Sequence, residues 1–225
     1  MVLITDVETG GLDPEVHPCI EVAAVLYDAS HACVVESYAS LILASSNEAE
    51  AINRIPVSAL ANAPTPAVVW GTVSELAGRA DAFVAHNAPF DKSFYPTDVA
   101  SLRPWIDTKA DLMWPRATLG YKLVVLALAH DLGVSHAHRS MVDCDLIARL
   151  FTRVHEMGVE LEVFLRRGLR PKATFLSLAP FEDRAIVKAA GFSWFPEKKQ
   201  WLRTMAIEDA RSLPFQVKEV PDVAR

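Results

Sequence analysis

The sequence lacks any apolar run able to cross a bilayer. Its longest, Leu123 to Ala129, is far short of the roughly 18 residues a span requires, and no basic flank precedes an apolar stretch at the N-terminus. The expectation is a chain that is neither membrane-bound nor exported and that resides in the cytoplasm. Cysteine is scarce. The three present, Cys19, Cys33 and Cys144, form no Cys-x-x-Cys pair and leave one over if two bond, which argues against a disulfide scaffold and against a thiolate zinc site. No internal repeat or low-complexity tract occurs, and a composition of 51% hydrophobic and 22% charged residues excludes disordered, collagen-like and coiled-coil chains. A large positive charge is missing too, since a net −6 does not suit a histone-like DNA binder.

What remains is a globular chain of 225 residues, enough for one large domain and a small appendage. The net charge conceals an asymmetry. Residues 1–164 carry 10 basic against 21 acidic side chains, net −11, whereas residues 165–225 carry 12 against 7, net +5. An acidic body can hold divalent cations and a basic tail can face a polyanion; solvated surface charge is the alternative. The run 165–172, with four Arg or Lys, one Gly and one Pro, reads as the linker between a first domain over 1–164 and a C-terminal module over 165–225.

Val2 to Asp6, Ile20 to Tyr27 and Val34 to Leu43 are rich in β-branched and apolar residues and predict an antiparallel three-stranded meander. From Pro56 the pattern alternates. Ala67 to Ala80 predicts a helix, Ala82 to Ala85 and Trp105-Ile106 predict short strands, and Lys122 to Leu132 and Met141 to Met157 predict helices capped by Gly133 and Gly158. The fold class implied is α/β: a mixed sheet with helices on both faces. In the tail, Thr174 to Leu178 predicts a strand, Phe181 to Ala190 a helix, and Phe192 to Thr204 a hairpin turning at Pro196 to Lys199, making a small α+β module.

Three acidic clusters carry chemistry. Asp6 and Glu8 close the first strand one residue apart, so both project to one side, close enough to share a hard cation; an exposed loop pair is the alternative. His86-Asn87-Ala88-Pro89-Phe90-Asp91 follows the strand Ala82 to Ala85 and places Asp91 at the strand's carboxyl end, where open α/β sheets bind ligands; a first-turn acid favoured by the helix dipole is the alternative. Asp143 shares a helical stripe with Ile147, Leu150 and Val154, whereas Asp145 does not, and a carboxylate on an inward stripe needs a cation or strong donors. His138 lies just before this helix, where a loop can carry its imidazole over the same site.

Asp6-Val7-Glu8-Thr9-Gly10-Gly11-Leu12, then His86-Asn87 with Phe90-Asp91, then His138 five residues before Asp143, resembles the three motifs of the DEDDh 3′→5′ exonucleases of the DnaQ-like superfamily, among them epsilon proofreading subunits, exonuclease X and the TREX enzymes. The resemblance covers residues 1–157 and implies a ribonuclease-H-like, mixed five-stranded sheet flanked by helices. It implies two Mg²⁺ or Mn²⁺ ions held by Asp6, Glu8, Asp91 and Asp143, with His138 as general base for the attacking water. Oxygen ligands suit such hard ions, and an imidazole with a pKa near ~6.5 can take a proton at neutral pH. Thr9, Gly10, Gly11, Leu12, His86, Asn87 and Phe90 are assigned to substrate binding, Leu12 by packing on the terminal base; packing beneath the turn is the other reading of Leu12. Gly10 stands where Thr is common and Ser140 where Ala commonly follows His-Arg.

The function implied is a metal-dependent nuclease that removes nucleoside 5′-monophosphates from 3′ ends of DNA, preferring single-stranded or frayed ends. An RNA-trimming exonuclease is one alternative, and a polymerase-associated proofreading or recruitment subunit with a protein partner on residues 165–225 is another. In the tail, Trp194 and Trp201 flank a turn bearing Lys198 and Lys199. That pattern fits contacts to single-stranded nucleic acid, or the core a small module needs for itself.

Overall fold

Alternation in β1 (Val2–Thr9) organises the larger part of the molecule. Val2 and Ile4 join a buried cluster with Ile147, Leu150, Phe151 and Val154, while Leu3 and Val7 join another with Val69, Val73 and Leu76. The computed structural model describes residues 1–116, 121–134 and 139–221. It divides into two compact units, Met1–Arg166 and Arg167–Arg225.

In the first unit β2 (Cys19–Asp28) and β3 (Cys33–Leu41) extend β1 as an antiparallel meander. On the other edge of β1 lie β4 (Phe83–Ala85) and β5 (Trp105–Asp107), both parallel to it, so the order is β3-β2-β1-β4-β5. Parallel neighbours need crossovers. Helices α1 (Glu50–Asn53), α2 (Val57–Leu60) and α3 (Pro66–Gly78) separate β3 from β4, and α4 (Ala88–Phe94) and α5 (Thr97–Ala100) separate β4 from β5. Then come α6 (Leu123–Ala129), α7 (Ser140–Glu156) and α8 (Leu161–Arg167). α3 covers the Leu3 and Val7 face and α7 the face of Val2 and Ile4, which gives the mixed five-stranded sheet flanked by helices.

Two expectations need correction. Gly158 does close α7 at φ 88°, with Val159 N–H donating to Val154 O at 3.0 Å. Gly133 does not close α6: Asp131 takes the left-handed position at φ 63°, and Leu132 N–H donates to Ala127 O at 2.9 Å. Asp131 suits that place because a short polar side chain tolerates the left-handed region, and Arg116 and Arg153 both pair with its carboxylate. Nor is 165–172 a free linker from its start. α8 buries Leu161, Phe164 and Leu165 in the first core while Arg166 and Arg167 face solvent, so the basic residues are the outer face of an amphipathic helix.

The second unit is an antiparallel sheet of β6 (Lys172–Ser177), β7 (Ser193–Phe195), β8 (Gln200–Ala206) and β9 (Val217–Val220) in the order β7-β8-β6-β9. Its core is Phe175, Val187, Phe192, Met205 and Ala210, contributed by the sheet, by α9 (Arg184–Ala189) and α10 (Ile207–Ala210), and by the link before β7 that carries Phe192. Among the described residues no helix is long and apolar enough to cross a membrane.

Candidate active site

Because Val2 and Ile4 face α7, Asp6 and Glu8 emerge on the same side where β1 runs past the core. On α7 the stripe Ile147, Leu150 and Val154 is fully buried, and Asp143, one turn earlier, comes out at the end of β1. One carboxylate oxygen from each of Asp6, Glu8 and Asp143 lies within 4.8 Å of the others. Asp145 points elsewhere, exposed and paired with Arg149 at 3.8 Å. The parallel strand β4 ends at the same edge and delivers Asp91 on α4. Its carboxylate is buried and accepts the Val7 N–H at 3.2 Å, and it stands outside the mutual 4.8 Å of the other three.

Burial and like charge set the electrostatics. Asp6 is raised well above the ordinary carboxylate range by burial, then by Asp91, Asp143, Glu8 and Glu21. Glu8 is pushed up to about 7 by burial, then by Glu21 and Asp143, with Arg139 acting against the shift. Burial also raises Asp91, against the N–H bond from Val7. Carboxylates held so close, with Asp6, Glu8 and Asp91 resisting ionisation, make a donor set that fits a hard divalent cation, whose charge would offset theirs.

A buried clamp that sequence reading missed sets the approach of α7. Glu21 lies directly across from Glu8 in the β1–β2 ladder, on the α7 side of the sheet. Arg139 Nη2 donates to its Oε1 at 2.5 Å, Arg139 Nε contacts both oxygens at 3.1 Å, and the Ser140 N–H donates to Oε2 at 3.0 Å. These bonds hold Glu21 below the ordinary glutamate range despite its burial. An acid on one strand thus caps the helix that carries Asp143. Arg139→Ala leaves the Glu21 carboxylate buried with one N–H donor and is expected to cost about 3 kcal/mol, the low end for a buried pair because the arginine is half exposed. Chemical denaturation is the measurement, and an unchanged midpoint would contradict the clamp.

The turn after β1 is braced from α1. Thr9 Oγ1 donates to Gly11 O at 2.6 Å, Gly10 O accepts the Glu48 and Ala49 N–H groups at 3.0 and 3.1 Å, and buried Asn53 donates to Thr9 O at 3.2 Å. Asn47 holds Asn53 in place at 2.9 Å. At Gly11 a Cβ would stand 2.4 Å from the His17 ring, so any side chain there displaces the imidazole. Leu12 is 84% exposed, which removes the reading that it packs beneath the turn.

Across the site Asn87 adopts φ 78° and donates its N–H to Asp107 Oδ1 at 3.0 Å. His86 Nδ1 sits 2.9 Å from Thr108 Oγ1, and burial, aided by Lys109, lowers its pKa to about 4, so the ring is neutral. Phe90 packs on Phe94 with ring centroids 5.0 Å apart. His138 and His136 lie outside the described residues. Trp194, Lys198, Lys199 and Trp201 belong to the second unit, on the β7–β8 hairpin.

A family model described as Exonuclease (RNase_T) matches residues 3–151, and a domain of unknown function (DUF8626) matches residues 175–220. DNA polymerase III PolC-type of Thermotoga maritima is 28% identical over 200 residues, covering 83% of this chain and 14% of that protein. DNA polymerase III subunit epsilon of Treponema pallidum is 30% identical over 159 residues, covering 65% of this chain and 73% of that one. Among solved structures, E. coli Exonuclease I in complex with a dT13 oligonucleotide aligns with a TM-score of 0.59 at 16% identity, over 79% of this chain and 48% of its own. The nuclease domain of 3′hExo, a DEDDh family member, bound to rAMP, aligns with a TM-score of 0.55 at 18% identity, over 71% of this chain and 94% of its own. The chain spans only 14% of the length of its PolC-type relative.

Proposed function

Because the chain belongs to the Exonuclease (RNase_T) family, we propose that residues 1–166 act as a DEDDh 3′→5′ exonuclease of the DnaQ-like superfamily and hydrolyse the terminal phosphodiester at 3′ ends of DNA. The product is a nucleoside 5′-monophosphate, and single-stranded or frayed ends are preferred. The observation that carries this reading is the convergence of Asp6, Glu8 and Asp143 within 4.8 Å, with buried Asp91 beside them. These four carboxylates would hold two Mg²⁺ or Mn²⁺ ions, which when bound supply charge stabilisation at the entering and leaving oxygens. The chain's own residues supply the rest. Exposed Leu12 offers an apolar surface to the terminal base, and the hydrogen bonds that brace the Thr9–Gly11 turn fix where that surface stands. His138, two residues before α7 begins, takes the proton of the attacking water.

DNA is preferred over RNA here because both curated relatives compared are chains of a DNA polymerase. Turnover of DNA and RNA oligonucleotides of one sequence, with the released nucleotides identified by chromatography, tests this. Faster release of deoxynucleoside 5′-monophosphates is expected, and faster RNA trimming would replace the DNA reading with the ribonuclease one.

Metal binding should depend on pH in a defined sense. In the metal-free chain Glu8 keeps its proton up to about 7 when folded but loses it near 4.5 when unfolded, so folding stability falls as pH rises through that window. Cations bind the ionised form, so the melting-temperature gain from saturating Mg²⁺ or Mn²⁺ over EDTA should grow from pH 5 to pH 8. Parallel melting curves across that range would place the cation elsewhere.

A further inference from the structure

The C-terminal unit carries a net charge opposite to that of the first. Residues 167–225 have 11 basic and 7 acidic side chains, net +4, against 11 and 21, net −10, in residues 1–166. On its edge strand β7, Trp194 lies opposite Trp201 of β8 with ring centroids 5.5 Å apart. The two tryptophans do different things. Trp201 packs partly against the unit's core, whereas Trp194 is no member of that core and is 46% exposed. The small module therefore builds its interior from Phe175, Val187, Phe192 and Met205 and displays a large indole whose one ring contact among the described residues is with Trp201 and which stays 46% exposed.

The hairpin tip adds the second chemistry. Residues 196–199 form the turn, with Lys199 at φ 51° donating its N–H to Pro196 O at 3.2 Å. Lys198 and Lys199 are exposed, and among the described residues neither makes an ion pair, unlike Arg170 of the same unit, which pairs with Glu208 and Asp209. Glu197 is the one acid within the turn. At the start of α9, Arg184 stands 4.3 Å over the ring of Phe181, a side chain 72% exposed, so the same unit shows a second exposed aromatic, this one with a cation on its face.

We propose that the β7–β8 hairpin is a second nucleic-acid site, which grips single-stranded nucleic acid by stacking a base on Trp194 and meeting phosphates with Lys198 and Lys199. The occupant follows from the pairing of chemistries. Lysines alone would serve any polyanion, and an exposed indole alone would serve an apolar protein surface. A flat base on a charged backbone uses both, and a duplex keeps its base faces stacked inside. The proposal rests on the exonuclease reading for its biological sense, since a nuclease that holds the strand it shortens stays on its substrate.

The test is binding of a fluorescent oligothymidylate longer than about 16 nucleotides to the full chain in EDTA, where hydrolysis does not intrude. Trp194→Ala should weaken binding about 5- to 100-fold while lowering the melting temperature only by the loss of one cross-strand ring contact, and Trp194→Phe should retain most of the affinity. The double variant K198E/K199E should flatten the plot of log affinity against log salt by about 1.4, at about 0.7 per phosphate contact on a single strand. Hydrolysis of a trinucleotide with Mg²⁺ is a separate check on the exonuclease reading. Failure there in the parent chain would count against that reading without bearing on the hairpin. Unchanged affinity in Trp194→Ala, whatever the lysine variant does, would overturn the stacking site, and unchanged affinity and salt slope in both would leave the hairpin as a protein-docking surface.

Discussion

Asp143→Ala is expected to lower turnover about 10²- to 10⁴-fold while raising the melting temperature of the metal-free protein. The rate loss is expected because Asp143 is a proposed ligand of a cation that would supply several kcal/mol of transition-state stabilisation. The stability gain has the opposite origin. Asp143 is among the charges that raise Asp6 and Glu8, so removing it relieves repulsion that the folded chain otherwise carries. Asp145→Ala is the control two residues away; its carboxylate is exposed and paired with Arg149, and turnover should stay close to that of the parent chain. Loss of turnover in Asp145→Ala with retention in Asp143→Ala would reverse the assignment of the α7 face. A fall in melting temperature for Asp143→Ala in EDTA would show that the cluster is held together by hydrogen bonds rather than strained by charge.

His138→Ala should lower kcat about 10²- to 10⁴-fold, the usual contribution of a general base, with a smaller effect on KM. The pH profile distinguishes this from a structural loss. With the imidazole acting as base, activity falls on the acid side as the ring protonates near ~6.5, and the variant should lack that limb. Because Glu8 titrates at about 7 without metal, the profile is to be taken at metal concentrations raised at each pH until the rate stops changing. Under those conditions a persisting acid limb in His138→Ala would assign the base to another group. His136→Ala should change little.

Local pattern carried most of the first unit. β-branched alternation marks β1 and β2, and the offset of Asp6 from Glu8 already places both on one side. The stripe from Asp143 through Val154 already separates Asp143 from Asp145. The missed features depend on distant partners or on very short elements. Glu21 and Arg139 are 118 residues apart, so neither residue alone signals the clamp that caps α7. The Asn47 and Asn53 brace sits at four-residue α1, too short for a helical period to show. α8 was hidden by composition: its basic residues read as a linker, although Leu161, Phe164 and Leu165 are spaced for one buried face. In the tail the hairpin turn was legible from Pro196 and the paired lysines, whereas the four-residue β9 was not.

The measurement that bears most directly on a metal-dependent 3′→5′ exonuclease is digestion of one oligonucleotide labelled at either its 3′ or its 5′ end, with Mg²⁺ and with EDTA. With Mg²⁺ the 3′ label should appear at once as a mononucleotide, and the 5′-labelled strand should shorten progressively through a ladder; with EDTA both strands should remain intact. Early release of the 5′ label, or digestion that continues in EDTA, would contradict the assignment of Asp6, Glu8, Asp91 and Asp143 to a metal-dependent site acting at 3′ ends.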